Sequence, residues 1–130
     1  MKSIFYTENY EDFTNISTKE YRLVDYLNDK FDISKKDEED INNFIRLNNG
    51  YHNNLMNLII DVYNKIKNIN PEINISLKIH KAEYFIDEIL KISPKIEDFN
   101  DVDKIEQLND DLFDKYDIYL LDNIIISMEF

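Results

Sequence analysis

The sequence predicts an α+β fold: a predominantly helical single domain over residues 1–130, with about five helices and a small two- or three-stranded sheet. Three observations predict it. From Tyr51 to Ile69 apolar residues recur at intervals of three and four, the pattern of a long helix with one buried face. The period then changes to two, with Ile73, Ile75, Leu77 and Ile79 alternating against Asn74, Ser76, Lys78 and His80, as in a half-buried strand. A second alternation closes the chain. Ile124, Ile126, Met128 and Phe130 alternate with Ile125, Ser127 and Glu129, predicting a terminal strand after an Asp122-Asn123 turn.

Taken in order, Ile4–Tyr6 is a weak strand candidate. Ser17-Thr18-Lys19-Glu20 is a capping box, in which Ser17 and Glu20 satisfy each other's orphan amides at a helix start. Leu23, Tyr26, Leu27 and Phe31 follow at helical spacing. A second helix starts at Ser34-Lys35-Lys36-Asp37, and the acids of Asp37-Glu38-Glu39-Asp40 suit the positive end of its dipole. Ile41, Phe44, Ile45 and Leu47 carry it toward Asn49-Gly50, where the lone glycine is a natural left-handed stop. The central helix uses Leu55, Leu58, Ile59, Val62, Ile66 and Ile69, widened by Met56, Ile60 and Tyr63, and ends at Asn70-Pro71. Ala82 to Ile92 reads as a short helix through Phe85, Ile86, Ile89 and Leu90, broken by Ser93-Pro94. The last long helix begins near Asn100 as N-cap and runs to about Tyr116, burying Val102, Ile105, Leu108, Leu112, Phe113 and Tyr116.

Composition narrows the function classes. The chain has no cysteine, which excludes disulfides, thiol chemistry and Cys-ligated zinc. Its single glycine excludes a Walker loop and a dinucleotide fingerprint, both of which need several for close backbone approach to phosphate. His52 and His80 lack metal-ligand spacing, and His80 falls on the polar face of its strand. Asp98-Phe99-Asn100-Asp101-Val102-Asp103 fails the calcium-loop pattern, with valine at the fifth position and no glycine at the sixth. No cofactor is implied, and an enzyme is not expected. The N-terminal residues lack the apolar run of a signal peptide, and the longest apolar stretch is Ile118–Leu121, so a cytoplasmic protein is expected.

Charge is the informative remainder. The net is −12, and the segment from Glu83 to Phe130 holds 14 acids against 4 lysines, a net of −10. Such a surface repels nucleic acid and anionic membranes alike. The basic positions are few: Lys35-Lys36, and a small candidate face of Lys65, Lys67, Lys78 and Lys81. On the last helix Asp103, Glu106, Asp110, Asp114 and Asp117 fall along one edge, with Lys104 and Lys115 on another side. Like charges at these spacings destabilise a helix by roughly 0.2–0.5 kcal/mol per pair, and acids in the last turn also oppose the dipole. Tyr119 beside this edge, and Tyr84 with Asp87, suit an interface of aromatic anchors within a steered acidic rim. The expectation is an immunity or inhibitor protein whose acidic C-terminal surface binds a basic protein partner, a toxin or nuclease domain. Alternatives are a phage-encoded nucleic-acid mimic and a viral helical adaptor for an amphipathic peptide.

Overall fold

The central helix forms where its spacing places it. In the structure, a computed structural model that describes residues 23–48, 54–81, 88–116 and 121–130, α3 spans Asn54–Ile69. Leu55, Met56, Leu58, Ile59, Val62 and Ile66 are fully buried along it. Pro71 ends the helix by pushing the residue before it out of helical backbone. The turn is then fastened by side chains. Asn70 Oδ1 accepts from the Glu72 amide at 3.0 Å, and Lys67 Nζ donates to the carbonyls of Pro71 and Ile73 at 3.3 and 2.6 Å.

Two helices precede it, α1 (Leu23–Asn28) and α2 (Glu38–Asn48), packed against each other. Buried Asn42 of α2 accepts from the Val24 amide at 3.1 Å, so a backbone donor at the start of α1 is satisfied from the neighbouring helix. Ser34 and Asp37 bracket a short 3₁₀ turn into α2, the hydroxyl donating to the carboxylate at 2.6 Å. Ile41, Phe44 and Ile45 enter the core. Leu47, grouped with them on the apolar pattern, instead lies off that face and is 84% exposed. The capping box at Ser17–Glu20, the Asn49-Gly50 stop, Tyr51, His52 and the Ile4–Tyr6 strand candidate lie outside the described residues.

The sheet has three strands, β1 (Ile75–Lys81), β2 (Glu88–Pro94) and β3 (Ile124–Ile126), in the order β1-β2-β3. β1 and β2 are antiparallel, pairing Leu77 with Ile92 and Ile79 with Leu90, while β2 and β3 are parallel, pairing Leu90 with Ile124. Asp32 clips onto the outer side of β1, its amide donating to Ile75 O at 2.8 Å and its carbonyl accepting from Leu77 N at 3.1 Å.

β2 corrects the helix expected over Ala82–Ile92. Glu88 to Pro94 is strand, and residues 82–87 lie outside the description. The reason is its central position. Leu90, Ile92, Ser93 and Pro94 are all buried, so the end of β2 is covered on both faces and its polar alternation disappears. A short apolar run without alternation matches helix and strand equally, and hydrogen bonding from both neighbours decides it. The terminal strand is also shorter than its alternation. Pairing as β3 stops at Ile126, and a single bridge joins Lys95 to Glu129.

Making β2 a strand changes what the last helix is. α4 (Val102–Lys115) becomes the crossover joining parallel neighbours β2 and β3. Ile105, Leu108 and Leu112 join the common core, and α4 packs against α3. The opposite side of α4 is left to solvent.

Candidate functional site

α4 is tied to the fold at both ends. It does not begin at Asn100, as its N-cap chemistry suggested. Asp98 opens the turn instead, its carboxylate accepting from the Asn100 amide at 3.0 Å, and a 3₁₀ turn over Phe99–Asp101 leads into Val102. Asp101 makes no capping bond to the helix. It is 5% exposed, and its Oδ2 accepts from Asn70 Nδ2 at 2.9 Å, joining the start of α4 to the end of α3.

The other end is held by Asp61 of α3. Its Oδ2 accepts from Tyr116 Oη at 2.8 Å and from Lys115 Nζ at 2.9 Å, and Lys65 reaches its Oδ1 at 3.4 Å. Burial pushes the Asp61 carboxyl up, but the bonds from Lys115 and Tyr116 and the charges of Lys65 and Lys115 outweigh it and hold the group below its ordinary 3.8. Burial and the same carboxylate push the Tyr116 phenol well above its ordinary value of 10. Lys115 is thereby turned toward α3, away from the acidic edge.

Between these anchors run the acids singled out from the sequence. Asp103, Glu106, Asp110 and Asp114 are all exposed on α4, at spacings of three, four and four. Among the described residues, none of the four carboxylates takes part in an ion pair or a side-chain hydrogen bond. The buried stripe of Ile105, Leu108 and Leu112 lies on the far side of the helix, which aims the acidic edge directly outward. Asp117, Tyr119, Tyr84 and Asp87, the other predicted partner-binding residues, lie outside the described residues.

Two apolar features also reach the surface. Phe99 and Phe130 are 78% and 71% exposed, and their rings stack with centroids 5.8 Å apart and planes 20° from parallel. Phe130 continues the alternation of the terminal strand but lies just past the Lys95–Glu129 bridge and is exposed. A sequence signal for Phe99 does exist: it falls off the Val102–Ile105–Leu108 stripe and lies four residues before Asp103. Beside α4, an apolar groove of about 300 Å³ is lined by Asn109, Leu112, Leu121 and Ile124 to Ile126, with Ile125 48% exposed.

The lysines of the small candidate basic face are each engaged within the fold. Lys65 pairs with Asp61, Lys67 is bound to backbone carbonyls, Lys78 pairs with Glu129 at 3.4 Å, and Lys81 lies 3.8 and 3.4 Å from Asp40 and Glu88. Each cation meets a partner within the fold. Among the described residues, no group of three or more His, Asp or Glu is arranged to hold a metal, and no helix is long and apolar enough to cross a membrane. His80 is exposed on β1. No family model matches the chain, and no curated protein and no solved structure matches it.

Proposed function

We propose that this protein is a cytoplasmic immunity-type inhibitor, which binds and neutralises a basic toxin domain, in the first instance a nuclease, through the outer edge of α4. One observation carries the reading: four exposed carboxylates, unpaired among the described residues, on one edge of a helix fixed at both ends by Asp101–Asn70 and by Asp61–Tyr116. A helix of 14 residues is about 20 Å long, so the edge presents a row of negative charge comparable with a short run of phosphates. A nuclease cleft built to attract phosphate attracts such a row and is blocked by it. Three adjacent like-charge pairs on this edge cost α4 about 1 kcal/mol, and neutralisation by a cationic partner relieves that repulsion.

The test is inhibition. Basic proteins retained at low salt by the immobilised protein are purified and assayed for nuclease activity with and without it. The proposal expects stoichiometric suppression by the wild type and little by Asp110→Lys/Asp114→Lys. Equal suppression by both would remove the edge from the mechanism, and retention of no basic protein would contradict the reading.

A further inference from the structure

We infer that Phe99 and Phe130 form the apolar anchor of this docking face, and that they take an apolar side chain from a lysine- or arginine-rich segment of the partner. The inference deepens the proposed function and rests on its acidic edge. Among the described residues large apolar side chains are buried with few exceptions, and two of the exceptions are stacked on each other. Neither hangs on a loose backbone. Phe99 sits in the turn capped by Asp98, where the Asp101 amide also donates to Asp98 O at 3.0 Å. Phe130 follows Glu129, whose amide donates to Pro94 O at 2.9 Å and whose carbonyl accepts from the Ile96 amide at 2.7 Å. The pair is therefore preorganised, which reduces the ordering cost of binding.

Register connects the pair to the charges. The turn at Phe99 runs straight into α4, and Phe99, Asp103, Glu106, Asp110 and Asp114 follow one another at four, three, four and four residues. An aromatic pair thus stands at the head of the acidic row. An aromatic anchor at one end of a steering edge is the arrangement that gives a protein interface both rate and residence time. Phenyl faces also attract cations, so flanking lysines or arginines are favoured at the anchor as well as along the row.

Charge selects the occupant. A second copy of this chain would set one acidic edge against another in a symmetric contact, and the like charges would oppose it. A membrane surface or a nucleic acid meets the same repulsion. A cationic segment carrying one apolar side chain satisfies both features at once.

Two synthetic lysine-rich helical peptides of equal charge test this, one carrying a single phenylalanine and the other alanine in its place. Each is titrated by fluorescence anisotropy against the wild type, Phe99→Ala/Phe130→Ala, Phe99→Leu/Phe130→Leu and Asp110→Lys/Asp114→Lys. The wild type should bind the phenylalanine peptide about tenfold more tightly. The alanine double variant should lose that preference, the leucine variant should keep part of it, and charge reversal should weaken both peptides. Equal binding of the two peptides to the wild type, or a preference that survives Phe99→Ala/Phe130→Ala, overturns the anchor while leaving the acidic edge standing. Failure of both peptides to bind at low salt overturns the edge and the anchor together.

Discussion

Tyr116 donates its phenolic proton to Asp61 Oδ2 at 2.8 Å, joining the end of α4 to the middle of α3 across 55 positions of chain. The bond makes α4 a fixed rod rather than a hinged one, and Lys115 reinforces it at 2.9 Å. Removing the hydroxyl with Tyr116→Phe should cost about 1–2 kcal/mol, since the acceptor is charged. Asp61→Ala should cost more, because it strips partners from Tyr116, Lys115 and Lys65 together. Urea unfolding of the two variants measures both, and equal midpoints for Asp61→Ala and the wild type would dismiss the anchor.

The same pair sets a pH signature. Asp61 is held below 3.8 in the folded chain, so on acidification the unfolded chain takes up a proton that the folded chain resists. Its stabilisation is complete at neutral pH and is lost as the pH falls through the depressed folded value. Tyr116 runs the other way. Its folded value is raised above 10, so its stabilisation is complete below that pH and is lost as the pH rises further. The stability gap between the wild type and Asp61→Asn should therefore be widest between these limits and narrow toward both extremes. Denaturation midpoints across pH check this, and a constant gap would refute it.

At the other end, Asp101 and Asn70 should behave as one unit. Asp101 is buried and accepts from Asn70 Nδ2 at 2.9 Å. Asn70→Ala leaves that carboxylate without this partner and should cost about 1–3 kcal/mol. A double-mutant cycle with Asp101→Ala should show coupling of about 1 kcal/mol or more. Additive losses would mean that the contact contributes nothing to holding α4.

The β1–β2 pairing can be tested covalently. Ser76 and Ser93 are register partners, and both hydroxyls are buried with no hydrogen-bond partner among the described residues. Ser76→Cys/Ser93→Cys should form a disulfide readily in a chain that has no other cysteine, whereas a helix over these residues would keep the thiols apart. Ser93→Ala should be neutral or stabilising by up to about 1 kcal/mol, because an unsatisfied buried hydroxyl is removed. Failure to oxidise would argue against the register.

What could be read from the sequence follows from how local each signal is. α3 and β1 were legible because one face of each is buried and the period survives, as with Leu58, Ile59 and Val62 or with Ile75 and Leu77. The acidic edge was legible for the same reason, since spacing along a helix fixes a face. β2 was not. Burial of Ser93 and Pro94 beside Leu90 and Ile92 erases alternation, and strand pairing is a tertiary fact. A helix at β2 leaves no parallel neighbours for α4 to join, so the crossover role of α4 is hidden too. Phe130 shares the alternation of Ile124 and Ile126 and is nonetheless exposed, because alternation does not say what covers a face. Asp101 stands near a helix start in the sequence, and only the fold brings Asn70 to it.

The central claim is that the outer edge of α4 steers and seats a basic partner. The most direct measurement is the association rate constant of the captured basic protein as a function of ionic strength, for the wild type and Asp110→Lys/Asp114→Lys. The wild type should associate fast at low salt and slow steeply as salt rises, because exposed charges are screened over about 10 Å at 0.1 M. The variant should associate at least about tenfold more slowly at low salt, with a flatter dependence. Association rates that coincide at every salt concentration would contradict the claim.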